Sequence, residues 1–372
     1  MTQGTAPSGR LSSLDALRGF DMFWIAGGEW LIAALAAWTG WPVFVWAHTQ
    51  MEHVDWNGFH FYDMIFPLFL FIAGVSMPFS LAKRRERGES MKSIYRHLVM
   101  RLIVLVLLGA IYNGLLRFDF AQQRYASVLA RIGFGWFFAA LIFLHTRPRG
   151  QALWLAGILL GYWAMMKLIP VPGFGAGVLT QEGSLAGWID RLFCPGVLYL
   201  GNHDPEGILS TIPAVGTALL GVLAGQLLRG RILDLPPLRK GLLLLAAGLT
   251  GLALGQLWNI VFPINKNLWT SSFVLYAGGW SLILLAVFYL IIDVRGYKKW
   301  AFPFIVIGLN SITVYMLNSG IVNFDQMGRY FFTGVAGLFP EAFQPVVFSS
   351  AALLCMWLVL YLLYKHKIFL RV

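Results

Sequence analysis

Charged residues are scarce in this chain. Asp, Glu, Lys and Arg make up 12% of its 372 residues and the mean hydropathy is +0.69, whereas a soluble globular domain carries about 25% charged residues. The shortage excludes a soluble domain, because most of the surface cannot face water. Cysteine is also rare, and Cys194 and Cys355 are too few and too far apart in sequence to form a disulfide framework.

Several catalytic motifs are missing as well. The chain contains no CxxC, HExxH, Walker or GxSxG pattern, so we expect neither a metal nor nucleotide hydrolysis. The net charge of +11 would suggest nucleic acid in a soluble protein. Here the basic residues stand in short loops between apolar runs, which is the pattern that orients membrane proteins. We therefore expect no nucleic-acid partner.

Apolar runs long enough to cross a bilayer are abundant. Their length and continuous apolarity indicate helices rather than the alternating strands of a membrane barrel. We predict an all-α, polytopic transmembrane helical bundle of about ten spans, forming a single domain over residues 1–372. Segment 1–13 is polar and has no signal-peptide pattern, so the first run is expected to remain as a span. The predicted spans lie near 20–37, 61–82, 98–116, 127–145, 152–168, 208–228, 241–258, 271–292, 302–322 and 346–364.

Lys and Arg are divided unequally between alternate loops. The set of loops that includes both termini holds 21 of them, and the other set holds 5. Cytoplasmic loops carry the excess of positive charge, so both termini are predicted to be cytoplasmic and the number of spans to be even. The long loops near 38–60 and 169–207 then lie on the outer side, and long ordered loops are often functional.

The segment before the second span carries the first candidate site. His53 and Asp55 precede that span, residues 56–58 suggest a turn, and Asp63 falls at the outer end of the span. A carboxylate can hold a histidine in one tautomer and make it a better base. Alternatively, His53 is an interfacial residue solvated at the level of the lipid headgroups. Both interpretations stay open from the spacing alone.

Ionisable residues also fall within the apolar runs. Asp21 and Glu29 lie in the first run and Arg131 in the fourth, where such groups are costly unless they are paired or hydrated. Asp21 has a structural alternative, a pair with Arg18 three residues earlier. Arg131 has no acid near it in sequence, so it requires either a carboxylate on another helix or a phosphate or carboxylate of a ligand.

Further polar candidates lie at the outer ends of later spans. Asp204 and Glu206 precede the sixth span and suit a sugar or an amine, or else they cap that helix. Lys266, beside Asn265, is the single cation of its loop and either binds an anion or is solvated. Asn310, in the ninth span, needs partners if it is buried, and it marks either a channel wall or ordinary interhelical packing.

Taken together and in order, these motifs resemble the heparan-α-glucosaminide N-acetyltransferase family of transmembrane acyltransferases, in its bacterial branch. Each motif is weak alone, but the ordered set spans nearly the whole chain. The matching segments are LDALRGF at 14–20, His53 with the turn at 56–58, Asp63 with Phe66 and Pro67, VLARIG at 128–133, DPEGIL at 204–209, NKNLWT at 265–270, and Asn310 with Ser311.

This resemblance implies transfer of an acetyl group from cytoplasmic acetyl-CoA, as co-substrate, to the amino group of a hexosamine or related sugar at the periplasmic side. It implies that His53 is the catalytic base or the acetyl carrier, and that Arg131 helps to hold CoA. We expect Asp55 or Asp63 to orient the imidazole. The chain departs from the family pattern beside Gly27 and at Ala130, which leaves the acceptor open.

The sequence therefore predicts a membrane acyltransferase of the bacterial inner membrane. Its partners would be a small sugar acceptor, acetyl-CoA and membrane lipids, with a homodimer left open. An amino-sugar transporter is the alternative, and a structural membrane subunit explains the buried charges least well. The candidate binding residues are Arg131, Asn57, Asp204, Glu206, Lys266, Asn265, Asn310 and Glu29.

Overall fold

A computed structural model describes residues 11–370, which are mainly helical and contain almost no sheet. Arg10 and Arg371, which count towards the predicted cytoplasmic charge, lie outside the described residues, as does most of the polar segment 1–13. The helices in chain order are α1 (Ser12–Phe23), α2 (Glu29–Thr39), α3 (Pro42–Gln50), α4 (Ile65–Glu86), α5 (Met91–Tyr112), α6 (Val128–His145), α7 (Pro148–Leu168), α8 (Leu185–Phe193), α9 (Thr211–Leu228), α10 (Pro237–Asn259), α11 (Ser271–Phe288), α12 (Phe302–Leu309), α13 (Ser311–Met316), α14 (Phe324–Ala336) and α15 (Gln344–Lys365).

Packing divides the described residues into two compact units. Unit 1 contains the residues up to Glu52, Pro236–Leu245 and those from Ile283 onward, and unit 2 contains His53–Leu235 and Ala246–Leu282. Unit 1 therefore includes α1–α3 and α12–α15, unit 2 includes α4–α9, and α10 and α11 contribute residues to both. The single domain predicted from the sequence stays a prediction.

Glycine allows helices to pack closely within each unit. In unit 2, a Cβ added to Gly221 of α9 would lie 2.1 Å from the carbonyl oxygen of Phe71 in α4. In unit 1, a Cβ on Gly308 of α12 would lie 1.9 Å from the carbonyl oxygen of Asp15 in α1. Neither contact leaves space for a side chain, and small residues of this kind let helix backbones approach within membranes.

The apolar helices confirm a polytopic helical bundle. Within residues 11–370, eight helices are long and apolar enough to cross a membrane, and a pair bent by 62° at Asn310 provides a ninth. The tenth predicted span, 152–168, is helical as α7 but falls outside this set, because Arg149, Gln151 and Lys167 lie within that helix. An even number of crossings depends on α7, so the cytoplasmic location of both termini stays a prediction.

Short elements lie in the long loops, where the sequence analysis identified no helix or strand. Helix α3 lies within the loop 38–60, and helix α8 lies within the loop 169–207. A small antiparallel ribbon, Pro170–Val171 paired with Gly175–Ala176, precedes α8. Helix α14 follows the ninth predicted span. These elements are too short to cross a bilayer, since a span needs about 20 apolar residues.

Candidate active site

The loop that enters α4 presents a histidine above a buried carboxylate. His53 starts the loop, and Asp63 lies in the single 3₁₀ turn Phe61–Met64 that begins the span. The backbone N–H of His60 donates to Asp63 Oδ2 at 3.0 Å, which satisfies a free donor at the start of the helix. This bond fixes the carboxylate and leaves Asp63 Oδ1 for a second partner.

His53 is that second partner. Its Nδ1 lies 2.7 Å from Asp63 Oδ1. An ionised carboxylate only accepts hydrogen bonds, so Nδ1 carries the proton and Nε2 carries the lone pair. The imidazole is 48% exposed, whereas the Asp63 side chain is 1% exposed. A fixed carboxylate therefore orients the imidazole through Nδ1, and the basic nitrogen Nε2 is accessible to a substrate.

Lys266 completes a three-residue cluster. Its Nζ lies 2.8 Å from His53 Nε2 and 3.7 Å from Asp63 Oδ1. Burial lowers the pKa of Lys266, although the negative charges of Asp63 and Glu206 oppose that shift. Nζ also lies 3.0 Å from His53 Nδ1. Because Nζ is almost equally distant from the two ring nitrogens, it lies beside the ring and not along the in-plane lone pair of Nε2, which stays open to a substrate.

The loops that carry His53 and Lys266 are tied together. Asn265 Nδ2 donates to Asn57 Oδ1 at 3.1 Å, and the N–H of Gly58 donates to the carbonyl oxygen of Ile264 at 2.9 Å. Gly58 has φ of +126°, a conformation that glycine adopts at little cost. Asn265 Oδ1 also accepts from the N–H of Leu268 at 2.8 Å. Asn57 and Asn265 therefore hold the two loops in register.

A second polar cluster surrounds Arg124. Its guanidinium donates to both carboxylate oxygens of Asp204, at 2.8 and 2.6 Å, and also to Glu206. Burial alone would raise the pKa of Asp204, but the hydrogen bonds and charge of Arg124 outweigh burial and lower it. The alternative in which Asp204 or Glu206 caps the sixth span is wrong, because α9 begins only at Thr211 with Ser210 at its N-cap.

Arg131 lies in the first turn of α6 and forms no ion pair within the described residues. Its Nη2 donates to the carbonyl oxygen of Gly207 at 3.1 Å and to the hydroxyl of Ser210. Its guanidinium carbon lies 5.0 Å from the centre of the Trp269 ring. The side chain is 1% exposed, and its Nε and Nη1 have no hydrogen-bond partner among residues 11–370. The sequence left two alternatives for Arg131, a carboxylate on another helix or an anionic group of a ligand. Among the described residues, no carboxylate pairs with Arg131.

A second histidine lies beside the Arg124 cluster. His203 is fully buried, its Nε2 lies 3.0 Å from the carbonyl oxygen of Asn267, and its Nδ1 lies 3.6 Å from Asp190 Oδ2. Burial lowers the pKa of His203 to about 4 and raises that of Asp190 to about 6. Neither Asp190 nor Arg124 was predicted from the sequence to be a site residue. The acidic pair Asp204 and Glu206 indicates a nearby cation, and Arg124 is one of few cations in the loops that are predicted to lie on the outer side.

The remaining predicted site residues are Asp55 in unit 2, and Glu29 and Asn310 in unit 1. Asp55 is exposed and makes no hydrogen bond or ion pair with another described residue. Glu29, at the start of α2, and Asn310, between α12 and α13, belong to unit 1. Asn310 is 1% exposed, and its side-chain amide has no hydrogen-bond partner in the part of the chain that the structure describes. Asp21, also in unit 1, is buried, and its carboxylate has no hydrogen-bond partner among the described residues. Arg18, its predicted partner, pairs instead with Asp15 at 3.5 Å.

The fold and this cluster define a polytopic helical membrane protein whose interhelical loops present a histidine backed by a carboxylate and a lysine. A family model described as a domain of unknown function, DUF5009, matches residues 10–117. The chain is 29% identical over 378 residues to human heparan-alpha-glucosaminide N-acetyltransferase, and 29% identical over 381 residues to the mouse protein. These matches cover 86% of this chain, which spans 56% of the length of each relative. They confirm the resemblance indicated by the ordered motifs.

Proposed function

We propose that the protein is a membrane acyltransferase that moves an acetyl group from acetyl-CoA to the amino group of a hexosamine or related sugar. The observation that carries the proposal is the half-exposed imidazole of His53, held through Nδ1 by the buried carboxylate of Asp63 at 2.7 Å. The printed names of the human and mouse relatives support the reaction class. We place the protein in a bacterial inner membrane, with donor entry from the cytoplasm and the acceptor at the periplasmic side.

His53 would act on the acceptor through Nε2. As the neutral amine attacks the thioester carbonyl, Nε2 removes its proton, the C–N bond forms, and collapse of the intermediate breaks the C–S bond. The proton then passes to the departing CoA thiolate. Asp63 stabilises the imidazolium during these steps, as an orienting carboxylate does in other enzymes. In the alternative route, Nε2 attacks the thioester first and the C–S bond breaks to release CoA. The amine then attacks the acetyl-imidazole, the C–N bond to the acceptor forms, and the imidazole leaves with the proton of the amine.

Lys266 would stabilise the oxyanion of the tetrahedral intermediate. Its ammonium lies 2.8 Å from His53 Nε2, so a carbonyl carbon that meets Nε2 places its oxygen within reach of Nζ. A preorganised cation of this kind contributes about 3–4 kcal/mol to the transition state in comparable sites. Since Nζ lies beside the ring at 3.0 Å from Nδ1 and 2.8 Å from Nε2, the in-plane lone pair of Nε2 would stay free to act as base or nucleophile.

A matched pair of aspartates tests this assignment. Purified protein is incubated with radiolabelled acetyl-CoA and a panel of amino sugars, with N-acetylglucosamine as the acceptor that lacks a free amine. Asp63→Asn should lower kcat by about 10²–10⁴-fold, because Nδ1 loses its charged partner, whereas Asp55→Asn should retain wild-type turnover. Acetyl transfer by Asp63→Asn at the wild-type rate would contradict the role of the carboxylate. A wild-type protein that labels no amine would remove the proposed reaction altogether.

Transport of amino sugars is the second candidate, and unit 1 contains the observation that favours it. The helix pair α12–α13 is bent by 62° at Asn310, whose amide lacks hydrogen-bond partners among the described residues. Transporters place substrate and ion sites at interrupted spans of this kind. Uptake of labelled glucosamine into proteoliposomes without acetyl-CoA would support transport. Thermal stabilisation by CoA, about 2.7 kcal/mol at 100 times its Kd, would support acyl transfer.

A further inference from the structure

Unit 2 contains an apolar cavity that the proposed chemistry does not use. Its volume is about 750 Å³, within the range of about 300–1,000 Å³ for small-molecule sites. Helices α5, α6, α7 and α9 contribute its walls, and the side chains that line it are predominantly hydrocarbon. They include Phe134, Phe138, Trp154, Ile158, Ile212 and Val215. Away from the end where Arg131 lies, such walls give no partners to an adenine or a ribose, so they do not suit the nucleoside part of CoA.

The cavity follows one face of α6. Arg131, Phe134, Phe138 and Ile142 all line it, and their spacing of three or four residues places them on one side of the helix. Eleven residues of helix extend over about 16 Å, close to half the thickness of a hydrocarbon core of about 30 Å. Since Arg131 lies in the first turn of this span, the cavity runs from the start of the span towards the middle of the bilayer.

The cavity is open along its side. Phe134, Phe138 and Trp154 are 38%, 45% and 53% exposed, although each contributes to the lining. Apolar side chains exposed in the middle of a spanning helix face lipid. A hydrocarbon chain can therefore enter this groove laterally from the bilayer, and we call this cavity the lateral groove.

At the end formed by the start of α6, the lateral groove is lined by two charged side chains, Arg131 and Glu206. Arg131 lines it with Nε and Nη1 unpartnered among the described residues and with 1% of its surface exposed. A guanidinium binds the two oxygens of a phosphate in a planar, bidentate arrangement. Glu206, which also accepts from Arg124, lines the same end, and a carboxylate accepts hydrogen bonds from hydroxyl groups. A head group with a phosphate and a sugar therefore matches the arginine and the carboxylate together, and its amine is left for His53.

This polar end adjoins the candidate active site. The Arg131 guanidinium packs on the ring of Trp269, and the N–H of Trp269 donates to the carbonyl oxygen of Lys266 at 3.0 Å. Lys266 in turn contacts His53. Arg131 and His53 are therefore connected through Trp269 and Lys266.

We infer that the acceptor is a lipid-borne hexosamine, with its hydrocarbon tail in the lateral groove, its phosphate on Arg131 and its amine directed to His53. The inference rests on the proposed acetyl transfer and names the substrate class. It also reassigns Arg131, which the family resemblance gave to CoA, because the apolar lining suits a lipid and not a nucleoside.

Three acceptors distinguish the effect of the hydrocarbon tail on kcat/KM from the effect of the phosphate. They are glucosamine 1-phosphate, its dodecyl phosphodiester, and dodecyl glucosaminide, each assayed with the full-length protein at a fixed concentration of labelled acetyl-CoA. The phosphodiester should show a kcat/KM at least tenfold above that of glucosamine 1-phosphate, and dodecyl glucosaminide should fall between them. Arg131→Lys, which keeps the charge but loses the planar fork, should reduce the phosphodiester to the level of dodecyl glucosaminide.

A matched pair of tryptophan substitutions separates the groove from general partitioning of a tailed acceptor into detergent. Ile212→Trp fills the groove from a position that is 37% exposed, and Leu249→Trp makes the same addition on α10, away from the groove, at a position that is 56% exposed. Ile212→Trp should remove most of the tenfold advantage of the tail, while Leu249→Trp should retain it.

The outcomes distinguish this inference from the proposed function. Equal kcat/KM for tailed and untailed acceptors, or an equal loss in both tryptophan variants, would overturn the lipid-borne acceptor and leave acetyl transfer standing. Equal rates for the phosphodiester and dodecyl glucosaminide would overturn the role of the phosphate. Failure to acetylate any acceptor, in protein that CoA stabilises, would overturn the proposed function and the inference with it.

Discussion

Unit 2 contains two histidine sites that look alike in sequence and differ in structure. His53 and His203 each lie in a polar loop that enters a spanning helix, and each has an aspartate as its nearest acid. The imidazole of His53 is half exposed and lies 2.7 Å from Asp63, whereas that of His203 is fully buried and lies 3.6 Å from Asp190. The first presents a free nitrogen to a ligand, and the second is enclosed by protein.

The difference shows what makes a histidine available for chemistry. Burial lowers the pKa of His203 to about 4, so it stays neutral at physiological pH, and no substrate reaches its ring. His53 combines an accessible nitrogen with a partner that fixes the tautomer. Two histidines that both lie near acids in polar loops thus separate into a candidate reacting group and a structural one, through their exposure and their contact with the nearest carboxylate.

The same substitution to alanine should affect activity at His53 and stability at His203. The loss of activity at His53 is the largest effect we expect. His53→Ala should lower acetyl transfer by at least about 10²–10⁴-fold with little change in the melting temperature, because the side chain is half exposed. His203→Ala should cost about 2–4 kcal/mol of stability, through a cavity and the unpaired carbonyl of Asn267, with kcat of the folded protein largely kept. Thermal melts and initial rates on both variants decide the matter, and loss of turnover in His203→Ala alone would reverse the two roles.

Removing Asp204 should be the most destabilising change in the second cluster. Asp204→Asn withdraws one of the two charges that neutralise Arg124 and should cost up to about 3–5 kcal/mol, because Glu206 is left alone to compensate a largely buried cation. Glu206→Gln serves as the graded control and should cost less, since Glu206 accepts from Arg124 through one oxygen while Asp204 accepts through both. Equal melting temperatures for the two variants would show that Arg124 does not depend on Asp204.

The combined contribution of His203 and Asp190 to the free energy of unfolding should not change with pH between about pH 4 and 6, unless one of the two is removed. The pKa of His203 is lowered from 6.5 to about 4, so its contribution to stability is lost as pH falls through that interval. The pKa of Asp190 is raised from 3.8 to about 6, so its contribution is present at low pH and is lost as pH rises. Between about pH 4 and 6 the folded protein holds one proton on Asp190 and the unfolded chain holds one on the histidine, and the two slopes cancel.

Asp190→Asn should expose the histidine slope. Stability relative to wild type should fall as pH drops from 6 to 4.5, by up to about 1.4 kcal/mol per pH unit, while Asn keeps the acceptor for the N–H of Ile208. His203→Gln should give the opposite slope. Melting temperatures measured at several pH values, taken as differences from wild type, cancel the titration of all other groups, and parallel curves would contradict the paired proton.

Much of the fold could be predicted from the sequence, because each span corresponds to one continuous run of apolar residues. The ten runs coincide with helices, and α7 differs only in the polar residues it carries. The site was harder, because its contacts join distant segments. His53 and Asp63 are ten residues apart and were selected together, but Lys266 lies 213 positions from His53. Neither its contact with the imidazole nor the pairing of Arg124 with Asp204 has a local signal.

The smallest effect concerns the link between the loops that carry His53 and Lys266. Asn57→Ala removes the acceptor for Asn265 Nδ2 and should cost about 0.5–1.5 kcal/mol, with a several-fold fall in kcat/KM because the two loops lose their register. Asn323→Ala is the matched control: Asn323 is also exposed, caps α14 in unit 1 by accepting from the N–H of Gln326 at 2.9 Å, and should cost about 1 kcal/mol. Melting temperatures should therefore fall alike, while kcat/KM falls only in Asn57→Ala. If both variants lost activity equally, the fall would reflect general stability, and the Asn57–Asn265 bond would have no part in positioning the imidazole beside the lysine.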